Sequence, residues 1–385
     1  MNYLIFLLFG GATLLSGAGV PAPTAAIESR KIAFDALDDD LLRDRVLAID
    51  GPVKPVYTAE VRRMIGSYVT TGYRETELML GRAALYFPIF EHYLYQYGLP
   101  QQLKYLPMVE SRLRPRAVSP AGATGLWQLM RGMATDAGLR MDYYVDERRH
   151  PHRATEAALA YLQHQYDRFG SWELALAAYN CGGGTVSRAI RRAGGERDFW
   201  KLHAYLPKET QHYLSRYLAA SYVAENYHRH QLFPNYPALD YHRSEVTRVY
   251  SQLSFRRLTE ITELTTAELK AFNPSYRRAL VPRSTAGYPL RLPPAAMRAL
   301  ERYRWDHLDH GIACDLPDAP PPPVVPLAAG TFKSTYQVME GDHLPGLAAL
   351  LELDEADILA WNGLTDTTLW PGQELVLYLP VSLLE

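Results

Sequence analysis

Helical patterning runs almost without a break from residue 57 to residue 230, and this feature constrains the fold more than any other. Apolar residues recur there at helical spacing, while glycine and proline are confined to short connections such as residues 98–100. Helices with an apolar face must bury that face against one another. The pattern therefore predicts one large, mostly α domain, and a chain of 385 residues has room for further domains.

The pattern changes after residue 235 to short units, and two of these units are copies of each other. An ungapped alignment places residues 253–274 on residues 342–363 and puts Asn273 on Asn362. Each copy predicts two short helices flanked by strands, which is a small βααβ module. The second copy is expected to build its core from Leu347, Leu350, Leu353, Ile358 and Leu375.

These units set the predicted boundaries of the C-terminal half. The first module is predicted to span residues 243–293 and the second to span residues 332–381. Between them, residues 313–331 are rich in proline, which favours a semi-rigid, extended linker.

The first 26 residues form an apolar stretch that ends in small residues, which is typical of a secretory signal peptide. The protein is therefore expected to be exported to the periplasm or cell envelope. Ala18 stands where a lipoprotein signal carries its lipidated cysteine, so no lipid anchor is expected. An uncleaved signal would leave a short membrane tether. Residues 27–84 are predicted to form an N-terminal helical segment.

Charge and cysteine content exclude several classes of protein. A formal net charge of -2 gives no basic field to attract nucleic acid. The two cysteines, Cys181 and Cys314, are far apart and do not support a disulfide framework. Two histidine pairs, at residues 150 and 152 and at residues 228 and 230, lack the spacing of a metal site, so no metal is expected.

Glu110 lies in the segment YLPMVESRLRP, which otherwise resembles protein interior. It continues a helical stripe of three leucines, so an unbroken helix would point it inward, although Pro107 can kink that helix. One interpretation is an ion pair with one of three nearby arginines. The other is a carboxyl group whose pKa is raised by an apolar pocket, as a general acid requires. The leucines are Leu99, Leu103 and Leu106, and the arginines are Arg112, Arg114 and Arg116.

Three sequence blocks that begin at Glu110 resemble a known enzyme family. The blocks are ESRLRPRAVSPAGATGLWQLM, DERRHPHRATEAALAYL and SWELALAAYNCGGGTVSRAI. In this order they are similar to the catalytic domain of the soluble lytic transglycosylases, in particular the membrane-bound murein transglycosylase D branch. The resemblance implies a lysozyme-like α domain over residues 85–235.

The C-terminal units resemble LysM domains, which bind glycans that contain N-acetylglucosamine. The segments YQVMEGD, AWNGL and LWPGQEL carry this resemblance in the second unit, and the first unit resembles a degenerate copy. The implied fold class is mainly α, with a lysozyme-like catalytic domain followed by small βααβ LysM-like modules. The LysM resemblance implies a glycan-binding groove at Gly341, Asp342, Asn362 and Gly363, with Asn362 acting mainly as a turn former.

The transglycosylase resemblance assigns roles to individual residues. Glu110 falls on the family's single catalytic acid, and Tyr179 is expected to form a hydrogen bond close to it. Gln211 stands where the motif around Glu209 usually carries arginine. The implied substrate-binding residues are Ser119, Gln128, Met130, Tyr179, Asn180 and Glu209.

The implied reaction is cleavage of peptidoglycan glycan strands between N-acetylmuramic acid and N-acetylglucosamine. Glu110 would first protonate the glycosidic oxygen and then accept the proton of the C6 hydroxyl, which leaves a 1,6-anhydro end and requires no cofactor. Two alternatives remain open from the sequence: a lysozyme-type muramidase in which Asp146 or Glu147 positions water, and an inactive glycan-binding scaffold. The arginines beside Asp146 and Glu147 favour a structural ion pair.

Overall fold

The computed structural model divides into two units, the first comprising residues up to 243 together with Lys270–Arg278, and the second the remainder of the C-terminal half. The predicted signal peptide up to residue 22, the linker before residue 331, and the groove residues Gly341 and Gly363 lie outside the described residues. The structure describes residues 23–239, 241–308, 331–338, 342–351, 353–362, 364, 367, 369 and 374–380.

The first unit is built from twelve α-helices and short 3-10 turns in its described residues. Side-chain caps begin several of them; Thr58 and Ser171, for example, accept hydrogen bonds from backbone N–H groups in the first turns of α3 and α8. The helices are α1 (Pro23–Asp35), α2 (Asp39–Leu47), α3 (Ala59–Val69), α4 (Tyr73–Gln96), α5 (Leu106–Ser111), α6 (Arg131–Asp136), α7 (Pro151–Phe169), α8 (Trp172–Cys181), α9 (Gly183–Arg192), α10 (Phe199–Leu202), α11 (Lys208–Gln211) and α12 (Tyr213–Asn226).

Helix α12 is the central element of this unit. It packs against α3, α5 and α8, and most of its residues are buried, including those on the side that a surface helix would expose to water. Helix α4 packs against α7, which in turn packs against α8. The central position of α12 brings its first residue, Tyr213, to the end of α5.

The helix expected to run from Leu99 to Glu110 is broken. A 3-10 turn occupies Gln101–Tyr105, and α5 starts only at Leu106. Pro107 falls in the first turn of α5, where its missing N–H leaves no helical hydrogen bond unmade. The three leucines of the stripe are nevertheless buried, so the apolar environment that was predicted for this segment is present.

The second unit contains the first βααβ arrangement, with two antiparallel strand pairs, β1 with β4 and β2 with β3. A further helix, α15, was not predicted and packs against α13. The elements of this part of the chain are β1 (Glu245–Val249), β2 (Leu253–Ser254), α13 (Phe255–Thr262), α14 (Thr266–Phe272), β3 (Leu280–Val281), β4 (Tyr288–Leu292) and α15 (Pro294–Leu308). The last residues of α14, from Lys270, belong to the first unit.

The C-terminal module has the order β5 (Thr331–Gln337), α16 (Leu344–Leu350), α17 (Glu355–Asn362) and β6 (Glu374–Pro380). Its two strands pair antiparallel. Four of the five predicted core residues lie in or against its core, but Leu350 is 75% exposed, so its assignment to the core was wrong. On α16 the buried face carries Leu344 and Leu347, and the helical period turns Leu350 away from it.

The prediction of a mainly α chain with small βααβ modules is confirmed. Within the described ranges, no helix is both long and apolar enough to cross a membrane.

Candidate active site

Glu110 is positioned by the short helix α5 and its neighbour Ser111. The buried hydroxyl of Ser111 donates to the carbonyl of Pro107 and, at 2.7 Å, to the carbonyl of Leu126. The second bond ties α5 to the loop formed by residues 117–130. Glu110 is therefore held in a fixed position relative to that loop.

The loop 117–130 uses two of the predicted substrate-binding side chains for its own structure. Ser119 Oγ accepts a hydrogen bond from the Ala123 N–H at 3.0 Å and closes a turn. Gln128 has a positive φ of 48°, and its amide nitrogen donates to the carbonyl of Gly125 at 2.9 Å and to that of Ala117 at 3.3 Å. These two side chains give the loop its shape, while Met130, at its end, is 46% exposed.

Gly125 allows this loop to lie against the segment that follows residue 145. Its φ is +88°, and a Cβ atom there would be 1.8 Å from the carbonyl oxygen of Arg148. Only glycine fits that contact. The neighbouring Trp127 is fully buried, donates from its indole nitrogen to Thr155 Oγ1 at 2.9 Å, and packs edge-on against Phe90.

The carboxyl group of Glu110 accepts a hydrogen bond from the hydroxyl of Tyr213. Glu110 is half-buried, and its pKa is raised to about 7, chiefly by desolvation of its carboxyl group. The hydrogen bond from Tyr213 and the positive charge of Arg216 oppose this rise, whereas the negative charge of Glu209 contributes to it. The raised pKa allows Glu110 to hold a proton at a higher pH than an ordinary glutamate, as a general acid requires.

Tyr179 forms its hydrogen bond with the loop 117–130. Its buried hydroxyl donates to the carbonyl of Trp127 at 2.6 Å, so it braces the loop instead of bonding to Glu110. The two side chains are close enough for the charge of Glu110 to contribute to the raised pKa of Tyr179. Tyr213, which does bond to Glu110, was not selected from the sequence, although it closes the LPKETQHYL motif that pointed to Glu209.

Asn180 joins α8 to α11. Its Oδ1 accepts a hydrogen bond from Thr210 Oγ1 at 2.7 Å, which fixes the turn that carries Glu209. The side chain of Glu209 is 70% exposed and lies 3.7 Å from Arg216. Gln211, at the position where arginine was expected, donates within its own turn to the carbonyl of Leu206 at 2.9 Å.

Asp146 and Glu147 both have structural partners. Asp146 is buried and forms a two-pronged ion pair with Arg148, whose Nη1 also donates to the carbonyls of Gly122 and Leu129. Glu147 accepts a hydrogen bond from the backbone N–H of Arg140 at 2.7 Å. The structural ion pair favoured by the sequence is therefore present at Asp146.

Among the residues that the structure describes, no group of three or more histidine, cysteine or acidic side chains could hold a metal ion.

In the C-terminal module, Asn362 acts through backbone hydrogen bonds. Its amide nitrogen donates to the carbonyls of Ile358 and Val376, both at 2.8 Å, and its Oδ1 accepts from the Val376 N–H at 2.6 Å. It therefore fastens β6 to the end of α17. Asp342 accepts a hydrogen bond from the hydroxyl of Tyr336 at 2.8 Å.

His343 begins α16 as its N-cap residue, because its Nδ1 accepts a hydrogen bond from the Gly346 N–H at 2.9 Å. The imidazole ring then occupies the space beside Gly346. A Cβ atom on Gly346 would lie 2.5 Å from the ring.

Three separate parts of the chain match known family models. Residues 88–202 match the family model described as the transglycosylase SLT domain. Residues 244–302 match the lytic transglycosylase MltD LysM-like domain, and residues 336–377 match the LysM domain.

Among curated proteins, the membrane-bound lytic murein transglycosylase D of Escherichia coli K12 is 30% identical over 284 residues. The alignment covers 73% of this chain and 60% of that protein, so the chain spans about three fifths of that relative. The soluble lytic murein transglycosylase of Salmonella typhimurium is 33% identical over 129 residues, which are 31% of this chain and 19% of that protein.

Among solved structures, the 70 kDa soluble lytic transglycosylase SLT70 of Escherichia coli is 20% identical with a TM-score of 0.33. The match covers 54% of this chain and 35% of that structure.

Proposed function

Because the chain carries a transglycosylase SLT domain followed by two LysM-type modules, we propose that it is a peptidoglycan lytic transglycosylase. The observation that carries the proposal is the state of Glu110. Its pKa is raised to about 7 by desolvation, so one carboxyl group can act as an acid and then as a base near neutral pH.

In the first step, protonated Glu110 donates to the glycosidic oxygen between N-acetylmuramic acid and N-acetylglucosamine. The bond from C1 to that oxygen breaks, and the N-acetyl carbonyl of the substrate stabilises the positive charge that develops at C1. Glu110 is left as a carboxylate. The hydrogen bond from Tyr213 stabilises this charged form.

In the second step, the carboxylate accepts the proton of the C6 hydroxyl group, and the C6 oxygen bonds to C1. The product ends in a 1,6-anhydro ring, no water is consumed, and Glu110 is again protonated. The negative charge of Glu209 favours this return, because it raises the pKa of Glu110.

The arrangement of the other carboxylates favours this reaction over hydrolysis by a muramidase. An inverting hydrolase uses a second carboxylate to activate water. The two acidic residues considered for that role are Asp146, which is buried against Arg148, and Glu147, which holds the Arg140 backbone. Glu209 remains near Glu110, and we assign it an electrostatic role.

The LysM-type modules are proposed to hold the enzyme on peptidoglycan strands in the periplasm. Binding by these modules raises the local concentration of the catalytic domain at the wall without altering the chemistry. The groove is proposed to include Asp342 and the flanking glycines Gly341 and Gly363.

The decisive experiment is mass analysis of the products that the purified protein releases from peptidoglycan. Wild-type protein should release fragments with 1,6-anhydro ends, which are lighter by one water than hydrolytic ends. Glu110→Gln, which keeps the shape but cannot transfer a proton, should lose at least about a hundredfold in turnover and still bind the wall. Hydrolytic ends would identify a muramidase, and a lack of any product would favour the inactive scaffold.

A further inference from the structure

A cavity of about 240 Å³ in the first unit is lined in part by Arg216, whose charge acts on the pKa of Glu110. The charges of this cavity are unlike those of the proposed acid–base site. It is lined by α3, the start of α4, the turn after α5, and α12. Three guanidinium groups and one carboxylate face it. They belong to Arg63, Arg112, Arg216 and Glu75.

The single carboxylate is neutralised by arginines outside the lining. Glu75 Oε1 lies 3.1 Å from Arg82 and 2.9 Å from Arg114, and these partners lower its pKa against the effect of burial. Its charge is therefore balanced without any of the three lining arginines. Of the lining arginines, Arg63 lies 3.5 Å from Glu60 and Arg216 lies 3.7 Å from Glu209. The positive charge that no carboxylate of the described residues balances is therefore that of Arg112.

Arg112 has the least engaged of these guanidinium groups, because Arg63 and Arg216 each have an ion-pair partner. Among the described residues its side chain makes no hydrogen bond or ion pair, while its backbone is fixed. The backbone of Arg112 adopts the left-handed conformation, with φ 53°. Its N–H donates a hydrogen bond to the Met108 carbonyl, and its own carbonyl accepts one from Arg82 at 2.7 Å. A fixed backbone thus presents a cation that has no counter-ion in the described part of the protein.

Tyr68 adds a neutral donor to the same wall. Burial raises its pKa, and the charges of Arg112 and Arg216 act to lower it, so its phenol group lies near both. Its hydroxyl has no hydrogen-bond partner among the described residues. A hydroxyl beside two guanidinium groups is a combination that suits a carboxylate ligand.

The cavity is next to the reacting centre. Arg112 follows Glu110 by two residues, and Arg216 lies one helical turn after Tyr213 and acts on the pKa of Glu110. A ligand group bound there would belong to the sugar at the cleaved bond or to a substituent of that sugar. In peptidoglycan, N-acetylmuramic acid carries a peptide with free carboxylates.

We propose that the cavity formed by Tyr68, Arg112 and Arg216 binds a carboxylate of the peptide attached to N-acetylmuramic acid beside the cleaved bond. This inference rests on the proposed function, since it names the part of the peptidoglycan substrate that the catalytic unit selects. The enzyme should accordingly prefer strands that carry peptides with free carboxylates over otherwise equal strands without that charge.

The test uses the full chain and two substrates, glycan strands with native peptides and the same strands after their peptide carboxylates have been converted to amides. Wild-type kcat/KM should be about tenfold higher on the native strands, the loss expected for one charge-assisted hydrogen-bond pair. Arg112→Gln should lower kcat/KM about tenfold on native strands, chiefly through KM, and leave the amidated strands unaffected. Tyr68→Phe should act in the same direction but more weakly.

Arg191→Gln is the matched control, because Arg191 is an exposed arginine of α9 in the same unit. This substitution should leave kcat/KM unchanged on both the native and the amidated strands. Equal loss on both substrates in Arg112→Gln and Tyr68→Phe would indicate a structural role and overturn the inference, as would an equal wild-type rate on both substrates. If wild-type protein forms no anhydro ends on either substrate, the proposed function itself fails, which separates the two failures.

Discussion

Replacing Glu110 with glutamine should stabilise the catalytic unit, and the gain should depend on pH. The pKa of Glu110 is about 7 in the folded protein against an ordinary 4.5. The folded state holds the proton of Glu110 more tightly than the unfolded state does. Protonation of Glu110 therefore stabilises the folded state fully below pH 4.5, and this stabilisation is lost as the pH rises to 7. The difference corresponds to about 3 kcal/mol, at about 1.4 kcal/mol per pH unit.

Glutamine cannot ionise in this range, so it avoids the cost of a desolvated carboxylate. It can still accept the hydrogen bond from Tyr213 through its carbonyl oxygen. The free energy of unfolding of Glu110→Gln should therefore match that of wild type near pH 4.5 and exceed it by about 3 kcal/mol above pH 7.

Urea unfolding between pH 4.5 and pH 8.5, followed by tryptophan fluorescence, to which the buried Trp127 contributes, measures this difference. Asp136→Asn is the control, because Asp136 is an exposed acid on α6 of the same unit. Its difference from wild type should stay constant with pH. A constant difference for Glu110→Gln as well would refute the assignment of a desolvated carboxyl group, and so would a gain that shrinks as the pH rises.

Four further predictions concern Tyr213, Asn362, the C-terminal module and Ala18. Tyr213→Phe removes a bond that favours the carboxylate of Glu110, so the alkaline limb of the kcat/KM profile, expected near pH 7, should move to higher pH; an unchanged limb would contradict this. Asn362→Ala removes three hydrogen bonds that fasten β6 and should destabilise the module by about 2 kcal/mol, measured as faster amide exchange of Val376, and unchanged exchange would exclude that role. A chain that ends at Pro320 should cleave small soluble glycans at the wild-type rate but bind sacculi less well, and equal binding would show that the C-terminal module is not an anchor. Since Ala18 replaces the lipidated cysteine, the protein expressed in a Gram-negative host should take up no palmitate, and a labelled mature chain would refute this.

The sequence predicted features that depend on local period or on internal similarity. Helical spacing predicted the large α domain, and the ungapped copies at residues 253–274 and 342–363 predicted two βααβ modules. The apolar stripe before Glu110 left open an ion pair with a nearby arginine or a carboxyl group in an apolar pocket. The leucines of the stripe are buried although the helix itself is broken.

Features that depend on contacts between distant segments were not predictable in the same way. Tyr213 and Glu110 are separated by 103 residues, and helical spacing alone says only that Tyr213 is on a buried helix. The cavity beside Arg112 requires four elements to meet. Leu350 fits the repeat at the level of sequence, yet the helical period places it off the face of α16 that carries the buried Leu344 and Leu347.

The cap of α16 links two positions of the C-terminal module in their evolution. A side chain at Gly346 would collide with the ring of His343, and the ring could swing away only by giving up the hydrogen bond that starts the helix. Replacing His343 first, by the smaller capping residue threonine, would open position 346 to alanine and to a better helix former. The reverse order passes through a chain with a clash or a lost cap. The two substitutions are therefore epistatic, and a library that varies position 346 alone would report it as intolerant for a reason that lies at position 343.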